Sequence, residues 1–249
     1  MRPIVLILFR AKENDKMIIA EELEGLAQIY YYRELSSKEI NKILGETIVI
    51  MTGSGRDLTN EIIHKAKNLK FIQTLSAGLD LVPFARLPKH VLVASNAGAN
   101  AIAVAEHALA LILSAIKRIP YLDNVMRRGE WNRSPSRLLL GKILGIIGLG
   151  HIGSELAKMA KALGMKVYGI NRSGRSQVNI DFIGSLDSLD RVLKESDIIV
   201  IAVPLTKYTR NMIGQRELRL MKENAILVNI SRGEVIDQRA LYAVSYTHL

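Results

Sequence analysis

The chain has 249 residues, 34 Lys and Arg against 24 Asp and Glu, and no cysteine. A hydrophobic content of 49% argues against a disordered chain. The lack of cysteine excludes a disulfide framework, a Cys-based zinc site and a thiol nucleophile. The apolar run at residues 4–9 is shorter than a signal-peptide core, and that at 101–116 is too short for a membrane span. We therefore expect a soluble, cytoplasmic protein without a membrane segment.

The positive charge of the chain lies mostly in its second part. The net charge is +10; residues 1–98 carry 13 basic and 11 acidic side chains, and residues 99–249 carry the other 21 and 13. No run of Lys and Arg exceeds two residues, and aromatic residues make up only 5% of the chain, which disfavours a stacking platform for bases. We expect a small anionic ligand and no nucleic acid.

The first part of the chain alternates strand-like and helix-like segments. Strands rich in Ile, Val and Tyr are predicted at residues 4–9, 28–33, 48–51, 71–76 and 91–96. One helix begins after Ser36, and Glu39 stands three residues further on, which is the spacing of a capping box. Because parallel neighbours need crossover connections, the alternation predicts a doubly wound parallel sheet. Its ligands should lie beyond the carboxyl ends of the strands.

The second part begins with a long apolar stretch. Asn100 is predicted to cap a helix at residues 101–119, which is apolar nearly all round and should be buried on several sides, between domains or between subunits. A second, amphipathic helix is predicted at 121–131. Further strands follow near residues 143–147, 166–170, 198–203 and 226–230. The sequence thus predicts an α/β fold of two doubly wound parallel-sheet domains, at 1–98 (flavodoxin-like) and 99–249.

Gly148, Gly150 and Gly153 form a G-x-G-x-x-G motif between a predicted strand and a predicted helix. In this setting the first glycine permits a tight turn, the second lets a pyrophosphate approach the backbone, and the third lets helix and strand pack closely. The start of the helix adds unpaired N–H groups and the positive end of the helix dipole. The motif indicates that residues 99–249 are a Rossmann dinucleotide-binding domain; a merely structural glycine-rich turn is the alternative.

The end of the second Rossmann strand bears on the choice of dinucleotide. A carboxylate that holds the ribose 2′-hydroxyl is expected there, ~20 residues after the glycines. The strand ends instead in Asn171, Arg172 and Ser173, with Arg175 close by. These residues could pair with a 2′-phosphate, which indicates NADP as the cofactor, with NAD as the other candidate. A solvent-exposed turn with incidental arginines is the alternative.

Arg232 follows the strand predicted at 226–230 and should therefore lie at a carboxyl end, facing the cofactor. A guanidinium group matches a planar 2-oxo or 2-hydroxy carboxylate in two hydrogen bonds. A plain surface arginine is equally compatible with this position. Position alone leaves both interpretations open.

Several segments in a fixed order make the chain resemble the D-isomer-specific 2-hydroxyacid dehydrogenases. They are residues 76–80 (SAGLD), 104–108 (VAEHA), 148–153 (GLGHIG), 203–206 (VPLT) with Thr209 and Arg210, and 227–237 (LVNISRGEVID). The resemblance favours Arg232 as the residue that binds the substrate carboxylate and polarises the carbonyl. It also implies that backbone amides around Ser76, Ala77 and Gly78 hold that carboxylate. The cofactor-binding residues that we predict are Val104, Gly148, Gly150, His151, Ile152, Gly153, Asn171, Arg172, Ser173, Val203, Pro204, Thr209, Ile230 and Ser231.

The resemblance implies reversible hydride transfer between NADP(H) and a small 2-oxo acid, such as glyoxylate or hydroxypyruvate, by a protein that is a homodimer when full-length. A catalytically inactive dinucleotide-sensing protein and a phosphoglycerate dehydrogenase are the alternatives. No obvious phosphate-binding cations accompany residues 52–55 or 76–80, which disfavours the phosphorylated substrate. No spacing of His, Asp and Glu indicates a metal site. Glu106 and Asp80 are interpreted as structural, and His107 as part of the buried helix.

The end of the chain departs from the family pattern. The resemblance implies a further helix, a sixth Rossmann strand with a catalytic Glu, and a catalytic His after residue 241. Residues 242–249 do not match that pattern, and His248 lacks the Gly and small-residue setting of a catalytic histidine. We therefore expect a Rossmann domain truncated at its C-terminal end, which keeps some NADP(H) binding and shows no appreciable reduction of 2-oxo acids.

Overall fold

The computed structural model describes residues 2–248, with side chains as far as residue 244. The chain divides into two compact units, Met1–Ala99 and Asn100–Leu249. Each unit is built on a five-stranded sheet in which every pairing is parallel. The predicted fold class, an α/β chain with two parallel sheets, is confirmed.

The strands of the first unit are β1 (Ile4–Ile7), β2 (Gln28–Tyr31), β3 (Thr47–Thr52), β4 (Phe71–Thr74) and β5 (Leu92–Ala94), and its helices are α1 (Glu13–Glu22), α2 (Ser37–Glu46) and α3 (Asn60–Lys65). The sheet order β2-β1-β3-β4-β5 is that of flavodoxin-like folds. Leu6 and Ile50 on the sheet pack with Leu44 of α2 in the core. The capping box is present, because Ser36 accepts from the Glu39 backbone and the Glu39 carboxylate accepts from the Ser36 backbone.

The strands of the second unit are β6 (Ile143–Ile147), β7 (Lys166–Ile170), β8 (Phe182–Gly184), β9 (Ile198–Ile201) and β10 (Ile226–Asn229), and its helices are α4 (Ala101–Ile116), α5 (Ile119–Arg127), α6 (His151–Ala162), α7 (Leu189–Glu195), α8 (Gln215–Leu220) and α9 (Gln238–His248). The sheet order β10-β9-β6-β7-β8 places β6 at the centre, as in a Rossmann sheet. Ile112 of α4 and Leu156 of α6 are buried in one core cluster. Val192 of α7 and Ile199 of β9 are buried in another.

The strand β8 is the element that the sequence analysis missed. It has three residues, ends in glycine and pairs with β7 alone at the edge of the sheet. Tertiary contacts stabilise it: the Phe182 ring lies 5.5 Å from the Tyr168 ring, and the Arg191 guanidinium lies 4.0 Å above Phe182. A short edge strand of this kind depends on such cross-strand contacts, which a linear pattern does not contain.

The long apolar helix α4 is shorter and less buried than predicted. It ends at Ile116, and the Asn100 side chain makes no capping hydrogen bond. Its buried residues form a single stripe, Ala101, Ala105, Ala108, Ile112 and Ile116. Ile102 is 58% exposed, and Glu106 and His107 are exposed as well. A buried His107 is therefore wrong within this chain, whereas burial of the other sides of α4 between domains or between subunits stays a prediction. Helix α5 ends at Arg127 rather than at residue 131.

None of the helices within residues 2–248 combines the length and the apolar character that are needed to cross a bilayer. The longest apolar helix, α4, has 16 residues.

The carboxylate of Asp181 fixes the start of the β7–β8 edge, and we expect it to make stability depend on acid pH. It accepts a hydrogen bond from the Val167 backbone at 2.7 Å and pairs with Lys161 at 2.9 Å. These donors, the Val167 amide first, lower the pKa of Asp181 below its ordinary value of 3.8. Because the folded-state pKa is lowered, the stabilisation is present above the ordinary pKa and is lost as the pH falls through the folded one.

Asp181→Asn should accordingly lower the free energy of unfolding by about 1 kcal/mol at neutral pH, since a charge-assisted hydrogen bond becomes a neutral one. The difference from the parent chain should shrink as the pH falls below the ordinary carboxyl range. Urea unfolding at several pH values measures it. Glu130→Gln, which alters an exposed carboxylate, is the matched control and should show no such difference at any pH.

Candidate functional site

The loops that follow the strands of the second unit share one edge of its sheet, which we call the carboxyl rim. Because every pairing is parallel, the carboxyl ends of β10, β9, β6 and β7 lie side by side in that order. Gly148 follows β6, Asn171 follows β7, Val203 comes shortly after β9, and Ile230 follows β10. The structure thus brings the predicted residues of four separate segments onto one edge.

The three glycines of the β6–α6 loop have three different surroundings. Gly148 has φ +108°, and a Cβ there would stand 2.6 Å from the carbonyl oxygen of Ala202, so only glycine fits the turn. A Cβ at Gly153 would overlap the carbonyl oxygen of Gly148, because helix and strand pack closely at that point. A Cβ at Gly150 would meet no atom within 4 Å. Two glycines are therefore required by the protein itself, and the third leaves open space.

The start of α6 borders that open space. The first backbone hydrogen bond of the helix runs from the Ser154 N–H to the Gly150 carbonyl at 2.8 Å. The N–H groups of His151, Ile152 and Gly153 therefore have no partner within the helix. Unpaired amides, a positive dipole end and room for close approach are what a pyrophosphate needs. These residues fit a dinucleotide.

Asn171 organises the loop after β7. Its Oδ1 accepts from the N–H and the hydroxyl of Ser173, both at 3.1 Å, and its Nδ2 donates to the Arg175 carbonyl at 2.7 Å. The Asn171 side chain is thus used within the loop. Arg172 is exposed and has no hydrogen bond or ion pair among the residues that the structure describes. Arg175 is exposed as well, so the loop carries two exposed cations.

Asn229 performs the same task in the loop that carries Arg232. Its Oδ1 accepts from the Ser231 N–H at 2.9 Å and the Ser231 hydroxyl at 2.7 Å, and its Nδ2 donates to the Arg232 carbonyl at 2.8 Å. Arg232 is half-buried, and its guanidinium donates to the Ser231 carbonyl at 3.1 Å. Sequence reasoning assigned Asn229 no role. The pattern that could have indicated this role is an Asn at the end of a strand with a Ser two residues later, because Asn side chains in turns accept hydrogen bonds from the backbone N–H two residues further along.

The loop after β9 is held by hydroxyl groups. The Thr209 hydroxyl donates to the Pro204 carbonyl at 2.6 Å and accepts from the Thr206 N–H at 2.8 Å. The predicted cofactor contact of Thr209 must therefore compete with these bonds. Val104 lies on α4, half-buried, where α4 packs against α6 and β10.

In the first unit, Ser76, Ala77 and Gly78 follow β4 at the carboxyl edge of its sheet. The Ser76 N–H donates to the Gly53 carbonyl at 2.9 Å, and the Ser76 hydroxyl donates to the Gly78 carbonyl at 2.8 Å. The amides of Ala77 and Gly78 have no hydrogen-bond acceptor among residues 2–248. Two of the three predicted amides are therefore available to an anion.

Other polar candidates contribute less. Among the described residues, no group of three or more His, Asp and Glu side chains is arranged to hold a metal ion. His64 and His90 are exposed, and His151 is exposed at the start of α6. His248, which the sequence made a poor candidate, lies outside the described side chains.

The glycine loop, the free amides of α6 and the strand order define a Rossmann-type dinucleotide-binding protein. Residues 109–247 match the family model described as D-isomer specific 2-hydroxyacid dehydrogenase, NAD binding domain. The chain belongs to the D-isomer-specific 2-hydroxyacid dehydrogenase family. The cofactor of this family is a nicotinamide dinucleotide, so the resemblance seen in the sequence is confirmed at this level.

Named relatives align with nearly the whole chain. A glyoxylate reductase of Thermococcus litoralis is 40% identical over 97% of this chain and 76% of its own length. A hydroxypyruvate reductase of Thermotoga maritima is 36% identical over 93% and 74%. A D-3-phosphoglycerate dehydrogenase of Methanocaldococcus jannaschii is 35% identical over 88%, and the chain spans only 43% of it. A family member from Aeromonas salmonicida has a crystal structure that is similar with a TM-score of 0.89 at 26% identity, covering 100% of this chain and 79% of that one.

Proposed function

We propose that this chain belongs to an oxidoreductase that reduces a small 2-oxo acid, of the glyoxylate or hydroxypyruvate type, with NADP(H). The observation that carries the proposal is the presence, on one carboxyl rim, of a glycine loop with open space at Gly150 and of Arg232 two strands away. The bound dinucleotide supplies or accepts the hydride. The relatives named above are enzymes, which favours this function over a dinucleotide-sensing protein.

The predicted residues divide the binding of the cofactor and the substrate among them. The amides of His151, Ile152 and Gly153 bind the pyrophosphate, and Val203, Pro204, Ile230 and Ser231 line the nicotinamide side. Arg232 binds the substrate carboxylate and polarises the reacting carbonyl, because a fixed cation stabilises the charge that develops on that oxygen. The free amides of Ala77 and Gly78 offer hydrogen bonds to the same class of anion.

The names of the relatives support a small 2-oxo acid as the substrate. Two of the three relatives are reductases of small unphosphorylated acids, and one is a phosphoglycerate dehydrogenase. The latter keeps phosphoglycerate oxidation as a second candidate. An assay that compares glyoxylate, hydroxypyruvate and phosphohydroxypyruvate, with the consumption of NADPH as the signal, tests both. No turnover with any of the three by the complete gene product would contradict the proposal.

The preference for NADP is supported by the loop after β7. Asn171, at the strand end where a carboxylate is expected in an NAD site, is used internally, and the exposed Arg172 and Ser173 follow it. Arg172→Ala is expected to weaken NADPH binding by about 1–3 kcal/mol, the range for the loss of a charge-assisted hydrogen bond, and to leave NADH nearly unchanged. Fluorescence titration with each cofactor measures the two affinities.

Arg191→Ala offers a control for this titration, because Arg191 lies over the Phe182 ring rather than in the loop. It should change neither affinity beyond the effect on stability. Equal losses for NADPH and NADH in Arg172→Ala, or a preference of the parent chain for NADH, would refute the assignment.

The same family resemblance supports a homodimer. Helix α4 carries Ile102, 58% exposed, and Leu111, 39% exposed, on either side of its buried stripe; α5 adds Ile119 and Met126, 52% and 61% exposed. Exposed apolar residues on neighbouring helices are typical of subunit interfaces. Sedimentation equilibrium of Ile102→Asp beside the parent chain tests this: the variant should be monomeric and the parent dimeric.

A further inference from the structure

A pocket of about 460 Å³ lies in the first unit, away from the residues discussed so far. It is formed by α3 with the two residues that follow it, and by the short helical turn Phe84–Arg86 with Pro88, which lead to β5. Helix α3 ends where the chain enters β4, so this pocket lies toward the amino ends of the strands. Ser76, Ala77 and Gly78 follow the carboxyl end of β4, at the opposite edge of the same sheet. We call this feature the basic pocket.

All charged side chains that line the basic pocket are positive or can become so. They are Arg86, Lys67 and His64. The nearest carboxylate in sequence, Glu61, pairs with Lys65 at 2.6 Å. Lys67 and His64 have no side-chain hydrogen bond or ion pair within residues 2–248. A concave surface lined by one sign of charge attracts counter-ions, so the basic pocket favours an anion.

A second cavity of the chain has a different balance of charges. The cavity beside Asp197, about 620 Å³, is also lined by lysines and an arginine. There Asp197 pairs with Lys222 at 3.0 Å and accepts from the Ile143 N–H at 2.9 Å. The cations of that cavity are therefore neutralised from within, whereas those of the basic pocket are not.

The basic pocket also has a donor group and an apolar floor. Arg86 and Asn60 are both exposed; Arg86 donates one Nη1 hydrogen to the Asn60 side chain at 2.8 Å, and its other N–H donors have no acceptor among the described residues. Ile63 and Ala66, 8% and 3% exposed, form the floor, and Pro88 closes one side. The volume lies within the range of small-molecule sites, roughly 300–1,000 Å³.

We propose that the basic pocket binds a small organic anion, with a phosphate or carboxylate head on Arg86 and Lys67 and a short apolar body on Ile63, Ala66 and Pro88. The basic pocket shares no residue with the dinucleotide site. The proposal that it binds an anion can therefore be tested separately from the proposed enzymatic function.

Amide chemical-shift titration of the isotope-labelled chain with phenyl phosphate tests the proposal. Phenyl phosphate should shift the resonances of residues 60–67 and 86–88 and should bind more tightly than inorganic phosphate, which has the head alone, or benzyl alcohol, which has the body alone. Arg86→Gln and Lys67→Gln should each weaken phenyl phosphate roughly five- to tenfold, since each removes one charge-assisted contact. Lys42→Gln, an exposed change on α2 outside the pocket, should leave the affinity unchanged.

The variant Lys67→Gln keeps the test decisive if the loss of the Asn60 contact prevents Arg86→Gln from folding, because the Lys67 side chain holds no part of the fold together. Equal affinities of Lys67→Gln and Lys42→Gln would overturn the proposal. Shifts confined to residues 148–153 would overturn it as well, because phenyl phosphate would then occupy only the glycine loop.

Discussion

Gly153→Ala is expected to destabilise the second unit by about 1–3 kcal/mol, whereas Gly150→Val should leave its stability nearly unchanged and abolish most dinucleotide binding. At Gly153 the added Cβ meets the Gly148 carbonyl, and the helix must move away from the strand. At Gly150 the backbone is extended and an added Cβ meets no atom within 4 Å. That space is where we place the pyrophosphate.

The pair of variants separates folding from binding in one comparison. Thermal unfolding measures the first effect, and fluorescence titration with NADPH measures the second, with an expected loss of affinity of at least about tenfold for Gly150→Val, or 1.4 kcal/mol. Gly129→Ala is not a suitable control, because Gly129 has φ +77°. Gly45→Ala is suitable, since its Cβ also meets no atom within 4 Å but lies on α2 of the other unit. NADPH binding by Gly150→Val at the parent affinity would contradict the placement of the pyrophosphate.

Arg232→Ala is expected to lower kcat/KM for a 2-oxo acid by about 10²–10³-fold, the effect of removing one fixed donor at a developing negative charge. Turnover should fall and the Michaelis constant should rise together, because Arg232 is proposed both to bind the carboxylate and to polarise the carbonyl. Arg232→Lys should restore activity only in part, since a point charge does not reproduce the two-pronged guanidinium. Initial-rate kinetics in the complete gene product measure these values.

Two controls keep the Arg232 result specific. NADPH affinity should be unchanged in Arg232→Ala, which shows that the damage is local to the substrate. Arg210→Ala, an exposed arginine in the neighbouring β9 loop, should behave like the parent enzyme. Near-normal kinetics of Arg232→Ala would refute the role of this residue.

The sequence predicts those elements whose limits are set by residues that are neighbours in the chain. Strands β6 and β7 are bounded by glycine or polar residues, and their predicted limits, residues 143–147 and 166–170, agree with the structure. The three-residue strand β8 escapes prediction because its order comes from the contacts of Phe182 with Tyr168 and Arg191, which are distant in the sequence. The extent to which α4 is buried within the chain does not follow from composition, because composition counts apolar residues and does not say how many faces find a partner within the same chain.

The candidate site shows the same difference between features that a local motif predicts and features that depend on contacts in the folded chain. The separate tasks of Gly148, Gly150 and Gly153 follow from the motif and its position between strand and helix; the structure supplies a steric reason for Gly148 and Gly153 and shows open space at Gly150. The parts played by Asn171 and Asn229 do not follow from the sequence alone, because an asparagine at the end of a strand could equally bind a ligand. Only the hydrogen bonds show that both side chains are engaged within their own loops.

Asn171 and Asn229 reduce the conformational entropy that the loops of the carboxyl rim lose when a ligand binds. Each closes a short loop with three or more hydrogen bonds before any ligand arrives. The loss of conformational freedom in these loops therefore occurs during folding, and a ligand meets groups that are already in place. The exposed side chain at 172, which makes no bond within the loop, can then be exchanged for another without rebuilding the backbone that presents it. Such a rim can offer a different group to a ligand while the frame around it stays the same.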